Sequence, residues 1–503
     1  MKKFKLIVFI ILIFFLIITF LYGIFGSQFS FLSIEEIKQN RELKKDLIDS
    51  LKINNTDTIL DNTTNTFYYS VSENKDNKLL VLKLELKNNL KYKIVNEKFN
   101  IIKVNFLESI DIIIYNDKYY YETKIQLTNL PLININTPID ITTNDTESTF
   151  YYINQDNVNV SGYTKIHIRG YSSRSLPKKS YKIEFYNKKY TEEKNVVIPN
   201  FYNGNAFILD AVYRDPSKIR NVISTELWND MSNDFTNVDI YSEFVELFIN
   251  NEYVGLYVLT EPINRKKLNL NKSSTNDTGI VIKTNGWGTV GTNKDFENIE
   301  NSTYLDYEIK YPNDEELFEG VWYNFLNKIS NYYNPEVKTT DTVINNTFNL
   351  NNYLDIIIFN SFITNMDSCL TRNLYYYMYS LDDKTVYLQP WDLEFTYGHY
   401  LNESWFPLLE YDKIYCEFEQ KDAPETNKLL IDRYWKLRKN ILTKEYFSNL
   451  LDKYKNKLNK GSALRDSDEW YEYDVEKEIE EIRTWIYNRI EFFDEYVKEL
   501  ENE

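Results

Sequence analysis

"NMDSCLTRNLYYYMYSLDDKTVYLQPWDLEF", Asn365 to Phe395, sets two acids, Asp367 and Asp392, at the ends of a segment dense in tyrosine. "RNLYYYMYS" and "VYLQPWDLEF" are aromatic and apolar, and "LDDKT" between them is turn-forming, so the spacing predicts an antiparallel hairpin. Folding back at Asp382-Asp383 brings its two ends together, so that Asp367 with Asn373 meets Asp392 with Glu394. Converging carboxylates are costly to bury unless they hold a cation or activate a proton donor. Read one at a time, both acids also suit cap and turn positions at a surface.

The order of these residues narrows the chemistry. Phosphoryl transfer uses an Asp to accept the acceptor hydroxyl's proton, an Asn a few residues on to hold Mg²⁺, and a second Asp for the metal. Asp367, Asn373 and Asp392 stand in that order, although the spellings H-R-D and D-F-G are absent. Paired acids by themselves also permit a cation-dependent hydrolase. Far upstream, "IRGYSSRSLPKKSYKIEF" gathers Arg169, Arg174, Lys178, Lys179 and Lys182 around a Gly-Tyr-Ser-Ser turn, which suits a polyphosphate. Tyr181, Ile183 and Phe185 alternate with Lys182 and Glu184, so Lys182 is the lysine expected to line a cleft. Glu226, in "IRNVISTELW", is expected on a helix, where it could pair with such a lysine.

The bulk numbers agree with an enzyme that is not a nucleic-acid binder. The 503 residues carry 58 Lys+Arg against 75 Asp+Glu, a net charge of -17, without the excess positive charge that an extended nucleic-acid surface needs. Two Cys and two His leave no zinc-type ligand set, so any metal is expected to be held by oxygen, as Mg²⁺, Mn²⁺ or Ca²⁺.

At the N-terminus, Lys2, Lys3 and Lys5 precede an uncharged apolar run from Leu6 to about Phe25, close to the roughly 20 residues that span a bilayer. No A-x-A-like cleavage site follows, so residues 1–27 are expected to be an uncleaved membrane anchor with its N-terminus in the cytoplasm and the bulk of the chain outside it. Ser33 to Asn55 shows Ile34, Ile37, Leu43, Leu47 and Leu51 at helical spacing, which predicts a juxtamembrane helix or stalk over 28–60. Short apolar runs divided by Asn/Asp turns predict an all-β, sandwich-like module over 61–129, read as a spacer. From 130 a β-rich part reaches about 290, with a helix started by Asp215 and Pro216 and a hairpin at Asn250-Asn251. A mainly helical part follows over about 300–503, making an α+β, two-lobed layout expected to leave a cleft between the lobes.

These stretches resemble the CotH family of spore-coat protein kinases, which are atypical protein kinases. "IHIRGYSSRSLPKKSYKIEF", "LDAVYRDPSKIRNVISTELW", "VELFINNEYVGLYVLTEPI" and the opening segment run in family order across about 130 to 495. The resemblance implies a two-lobed, kinase-like domain that uses ATP with Mg²⁺ or Mn²⁺ to phosphorylate Ser or Thr of coat or surface proteins. It implies Asp367 as the catalytic acid, Asn373 and Asp392 as metal ligands, and Lys182, with Arg169 and Glu226, as nucleotide-binding residues. It also places Leu259–Ile263, "LTEPI", beside the adenine. Relatives of the family that serve as surface proteins imply the alternative, a non-catalytic adhesion or coat component. Whether Cys369 and Cys416 pair is left open by the sequence.

Overall fold

The computed structural model describes residues 28–72, 78–87, 89–231, 238–272, 277–284, 301–370, 372–399, 410–458 and 460–502. The expected membrane segment, 1–27, lies outside them. Among the described residues no helix is long and apolar enough to cross a membrane. The fold is mixed α+β and forms two compact units, between which the chain passes repeatedly. One unit holds the chain up to Pro199 with Phe244–Val258 and Lys457–Glu472, and the other holds Asn200–Glu243, Leu259–Asn456 and Tyr473–Glu503.

In the first unit the expected stalk helix is only Ile34–Lys38, capped by Ser33, whose hydroxyl accepts from the Glu36 amide. The helical spacing misleads here because Ile48, Leu51 and Ile53 pack into the core of the adjoining β module. That module has one six-stranded sheet, in which Tyr119–Thr128 lies between Thr66–Ser70 and Ile110–Tyr115. A three-stranded and a two-stranded sheet complete it. A sandwich is not established by this arrangement.

The module packs onto the strands that follow it. Ile59 and Tyr68 share a core with Leu132, Ile153 and Phe248, and the Arg465 guanidinium of the helix Lys460–Glu469 donates to Phe106 O at 2.9 Å. Arg465 also pairs with Glu246, whose side chain is fully buried. A chain truncated to begin at Leu130 would expose this shared core, where each buried apolar side chain contributes about 1.5–3 kcal/mol. We expect its Tm to fall by roughly 10 °C or more relative to a chain beginning at Gln28, measured by thermal unfolding.

From Leu132 the first unit runs as antiparallel strands Leu132–Asn136, Thr146–Ile153, Asn159–Ile168 and Tyr181–Tyr186, with Leu132–Ile135 parallel to Glu246–Ile249. The Asn250-Asn251 turn forms as read, both residues taking positive φ, which Asn tolerates.

The second unit is not purely helical. Ile280–Thr284, assigned from sequence to the β-rich part, pairs with both Tyr307–Tyr311 and Leu374–Met378 in a five-stranded sheet that ends on Tyr387–Pro390. Tyr375 and Tyr377 enter one core with Val281, Leu268 and Ile240, while Tyr376 points the other way onto Phe325 and Tyr307. Burial on both faces explains why the strand is an unbroken aromatic run and not an alternating one. Beneath the sheet, Leu350–Ile363 is buried almost throughout, its polar Asn352, Asp355, Asn360 and Ser361 included, starting at an Asn349 cap and ending where Thr364 turns left-handed. The helix expected from Pro216 begins instead at Arg220, because the Asp215 carboxylate folds over the turn to accept from the Ser217 and Arg220 amides at 2.9 and 2.8 Å.

Candidate active site

The hairpin of the opening segment forms in the second unit with Leu374 opposite Pro390 and Tyr377 opposite Tyr387. Asp383 closes its turn by accepting from the Tyr379 and Ser380 amides. At the open end the Trp391 amide donates to Asn373 O at 3.0 Å, so the stretches bearing Asn373 and Asp392 lie side by side. The Asn373 amide nitrogen donates to Asp367 Oδ2 at 2.5 Å, and Arg372 pairs with Asp367 Oδ1 at 3.2 Å. Asp367, Asn373 and Asp392 are therefore brought together as the sequence predicted.

Asp210 and Arg214, which the sequence reading did not single out, join Glu394 in the same cluster. Burial first, then the charge of Asp392, pushes the Asp367 carboxyl up to about 6, against the pull of Arg372, Asn373 and Arg214. Burial, followed by Asp392 and Asp210, drives the Glu394 carboxyl well above the ordinary carboxylate range. Asn221 supports both sides of the cluster, donating to Asp210 Oδ2 at 3.1 Å and accepting from the Leu393 amide at 3.2 Å. The signal that could have found Asp210 is its place as the single acid ending an otherwise apolar strand, Ala206–Asp210.

Among the described residues, carboxyls outnumber guanidinium groups in this cluster, an imbalance that a hard dication bound by oxygen would relieve. Among the described residues no three of His, Cys, Asp or Glu stand as a metal shell. Asp392 and Asn373 carry side-chain oxygens of the kind that Mg²⁺ takes as ligands. With its amide nitrogen turned to Asp367, Asn373 keeps its carbonyl oxygen for that role.

The backbone here is strained. Thr364, Cys369 and Leu370 have positive φ, a conformation that costs such residues about 1–3 kcal/mol and persists only where the surroundings enforce it, while Asn373 and Asp392 share it as residue types that tolerate it. The Tyr333 and Tyr376 hydroxyls both donate to Leu370 O, at 2.7 and 3.1 Å, and Cys369 is disulfide-bonded to Cys416. The pairing that the sequence left open is therefore present.

The three expected nucleotide residues are placed differently. Lys182 is on the strand Tyr181–Tyr186, opposite the core-facing Tyr181, Ile183 and Phe185, and pairs with Glu184 at 2.8 Å. Arg169 is half-buried just past the strand Asn159–Ile168, before Gly170 at positive φ. Glu226 is on the helix Arg220–Met231, but the lysine it holds is Lys453, at 2.6 Å, with the Tyr454 hydroxyl on its other oxygen. The lysine of this region that does make a buried ion pair is Lys178, bonded to Asp466 at 2.6 Å. In "LTEPI", Glu261 turns inward and accepts from the Tyr202 and Tyr241 amides.

An α+β protein with an acid cluster on a disulfide-held loop is what the fold and site define. The chain belongs to the CotH kinase protein family, whose model matches residues 166–493. It matches no curated protein.

Proposed function

We propose that this protein transfers the terminal phosphoryl group of ATP, with Mg²⁺ or Mn²⁺, to Ser or Thr hydroxyls of coat or cell-surface proteins. The observation that carries the reading is the Asp367 carboxylate, oriented by the Asn373 amide at 2.5 Å within a cluster of excess negative charge. Asp367 accepts the proton of the acceptor hydroxyl as its oxygen bonds to the γ-phosphorus and the bond from that phosphorus to the bridging oxygen breaks, ADP leaving with the electron pair. Asn373 fixes the carboxylate's orientation, and Asp392 with Asn373 would hold the metal. Lys182 and Arg169 are the residues proposed to bind phosphate oxygens, whereas Glu226, held by Lys453 and Tyr454, is left without that role. Metal-bound ATP supplies the phosphoryl group, and positioning and charge stabilisation supply most of the rate. The protein is anchored through its N-terminal segment and acts outside the cytoplasm, a location that the Cys369–Cys416 disulfide supports.

The test is transfer of labelled phosphate from ATP to protein by the full chain in detergent, with and without divalent metal. A base must be deprotonated, and the Asp367 carboxyl titrates at about 6, so transfer should rise with pH through about 6 and level off above it. Metal on the neighbouring ligands should move that limb to lower pH. The same shift has the opposite sign for stability. The folded chain binds this proton more tightly than the unfolded chain, so the group's contribution is full below the ordinary carboxylate pKa and is lost as pH rises through about 6. Absence of both labelled protein and nucleotide binding by calorimetry overturns the proposal.

A further inference from the structure

Cys369 lies two residues after Asp367, and its bond to Cys416 closes a ring of chain that contains Asn373, the whole hairpin, Asp392 and Glu394. Both cysteines line a cavity of about 520 Å³ bounded also by Tyr333, Asn360 and Glu419. Asn360 is 1% exposed, and its amide nitrogen on this wall has no hydrogen-bond partner. The stretch after Cys369 is the strained one, with Leu370 and Asn373 at positive φ. Arg489 fixes the far side. Buried completely, it donates to Ser361 O and Phe362 O at the end of the long apolar helix and to Tyr411 O and Lys413 O just before Cys416. Arg489 thus ties the chain just before Cys416 to the end of that helix, and the disulfide is the covalent tie from there to the strained loop.

We propose that the Cys369–Cys416 disulfide positions the loop bearing Asp367 and Asn373, and that a dithiol entering the adjoining cavity releases it. The half-buried Cys369 sulfur is the one attacked, and the buried Cys416 sulfur leaves as thiolate. The dithiol's second thiol then displaces Cys369, so the dithiol ends as a disulfide and both cysteines as thiols, with two electrons transferred. The catalytic consequence rests on Asp367 as the proton acceptor; the conformational one does not.

The test uses the full chain, oxidised, reduced with dithiothreitol under native conditions, and re-oxidised. Reduction should make both cysteines alkylatable and speed amide hydrogen exchange in 364–373 and 410–422. It should also lower phosphoryl transfer by about 10- to 100-fold, the scale of a small misplacement of reacting groups. Re-oxidation should restore all three, and a Cys369→Ser/Cys416→Ser variant should behave as the reduced chain and ignore dithiothreitol. If the disulfide resists dithiothreitol in the native protein, or its reduction leaves exchange in both segments unchanged, the inference is overturned. An oxidised chain that is inactive, yet loosens on reduction, keeps the inference and overturns the proposed function. An active chain indifferent to reduction does the reverse.

Discussion

Asp367→Asn is expected to lower phosphoryl transfer by about 10²- to 10⁴-fold, the usual contribution of a positioned general base, with little change in nucleotide affinity. The fold should survive. The Asn373 amide, which now donates to Asp367 Oδ2, would find the carbonyl oxygen of the new side chain. Removing a carboxylate that burial and Asp392 already disfavour takes away a repulsion, so Tm should hold or rise slightly. The variant should also lose the rise of activity through about pH 6. Asp392→Asn differs in kind, because a metal ligand is weakened and excess metal should restore part of its transfer. A non-catalytic surface or coat component would be indifferent to Asp367→Asn while still binding its partner. Turnover measured beside partner binding therefore separates the two readings.

The hairpin was legible because its signals are local. Aromatic strands, an Asp-Asp turn and acids at matched offsets determine where Asp367, Asn373 and Asp392 meet. What the sequence hid is long-range. Nothing local to "IVIKT" says that Ile280–Thr284 pairs with Leu374–Met378, ninety-odd residues on, and so belongs with the tyrosine strand. Asp210 and Asn221 reach the cluster only through tertiary packing, and Glu394, although visible at the hairpin end, gains its character from burial beside Asp392. The juxtamembrane helix failed because 3.6-residue spacing of Leu43, Leu47 and Leu51 competes with a nearby β core that takes Ile48, Leu51 and Ile53. Lys182 was favoured over Lys178 because strand alternation is readable, whereas the partner of Lys178 lies 288 residues away.

That lysine gives the largest expected effect of a single substitution on stability. Lys178 and Asp466 have side chains 0% and 1% exposed, and Lys178 Nζ donates to Asp466 Oδ1 at 2.6 Å and to Leu256 O at 2.5 Å. The Leu256 amide donates to the same Asp466 oxygen at 2.8 Å, and Gly255, at φ +119°, is what lets the backbone come so close. Removing one member leaves the other charge buried and unpaired, at a cost of about 3–5 kcal/mol. Lys178→Met and Asp466→Leu should therefore each lower Tm by roughly 10 °C. The double variant, which leaves no orphaned charge, should recover much of that loss, giving a clear coupling in a double-mutant cycle. Lys182→Met is the contrast. Lys182 is 35% exposed and, among the described residues, pairs with Glu184 on its own strand, so the variant's stability should change by less than about 1 kcal/mol, while nucleotide affinity falls. A Lys178→Met protein with unchanged Tm would show that the buried pair does not hold the first unit together. A Lys182→Met protein that binds ATP normally would move the phosphate-binding role to another residue of the basic turn.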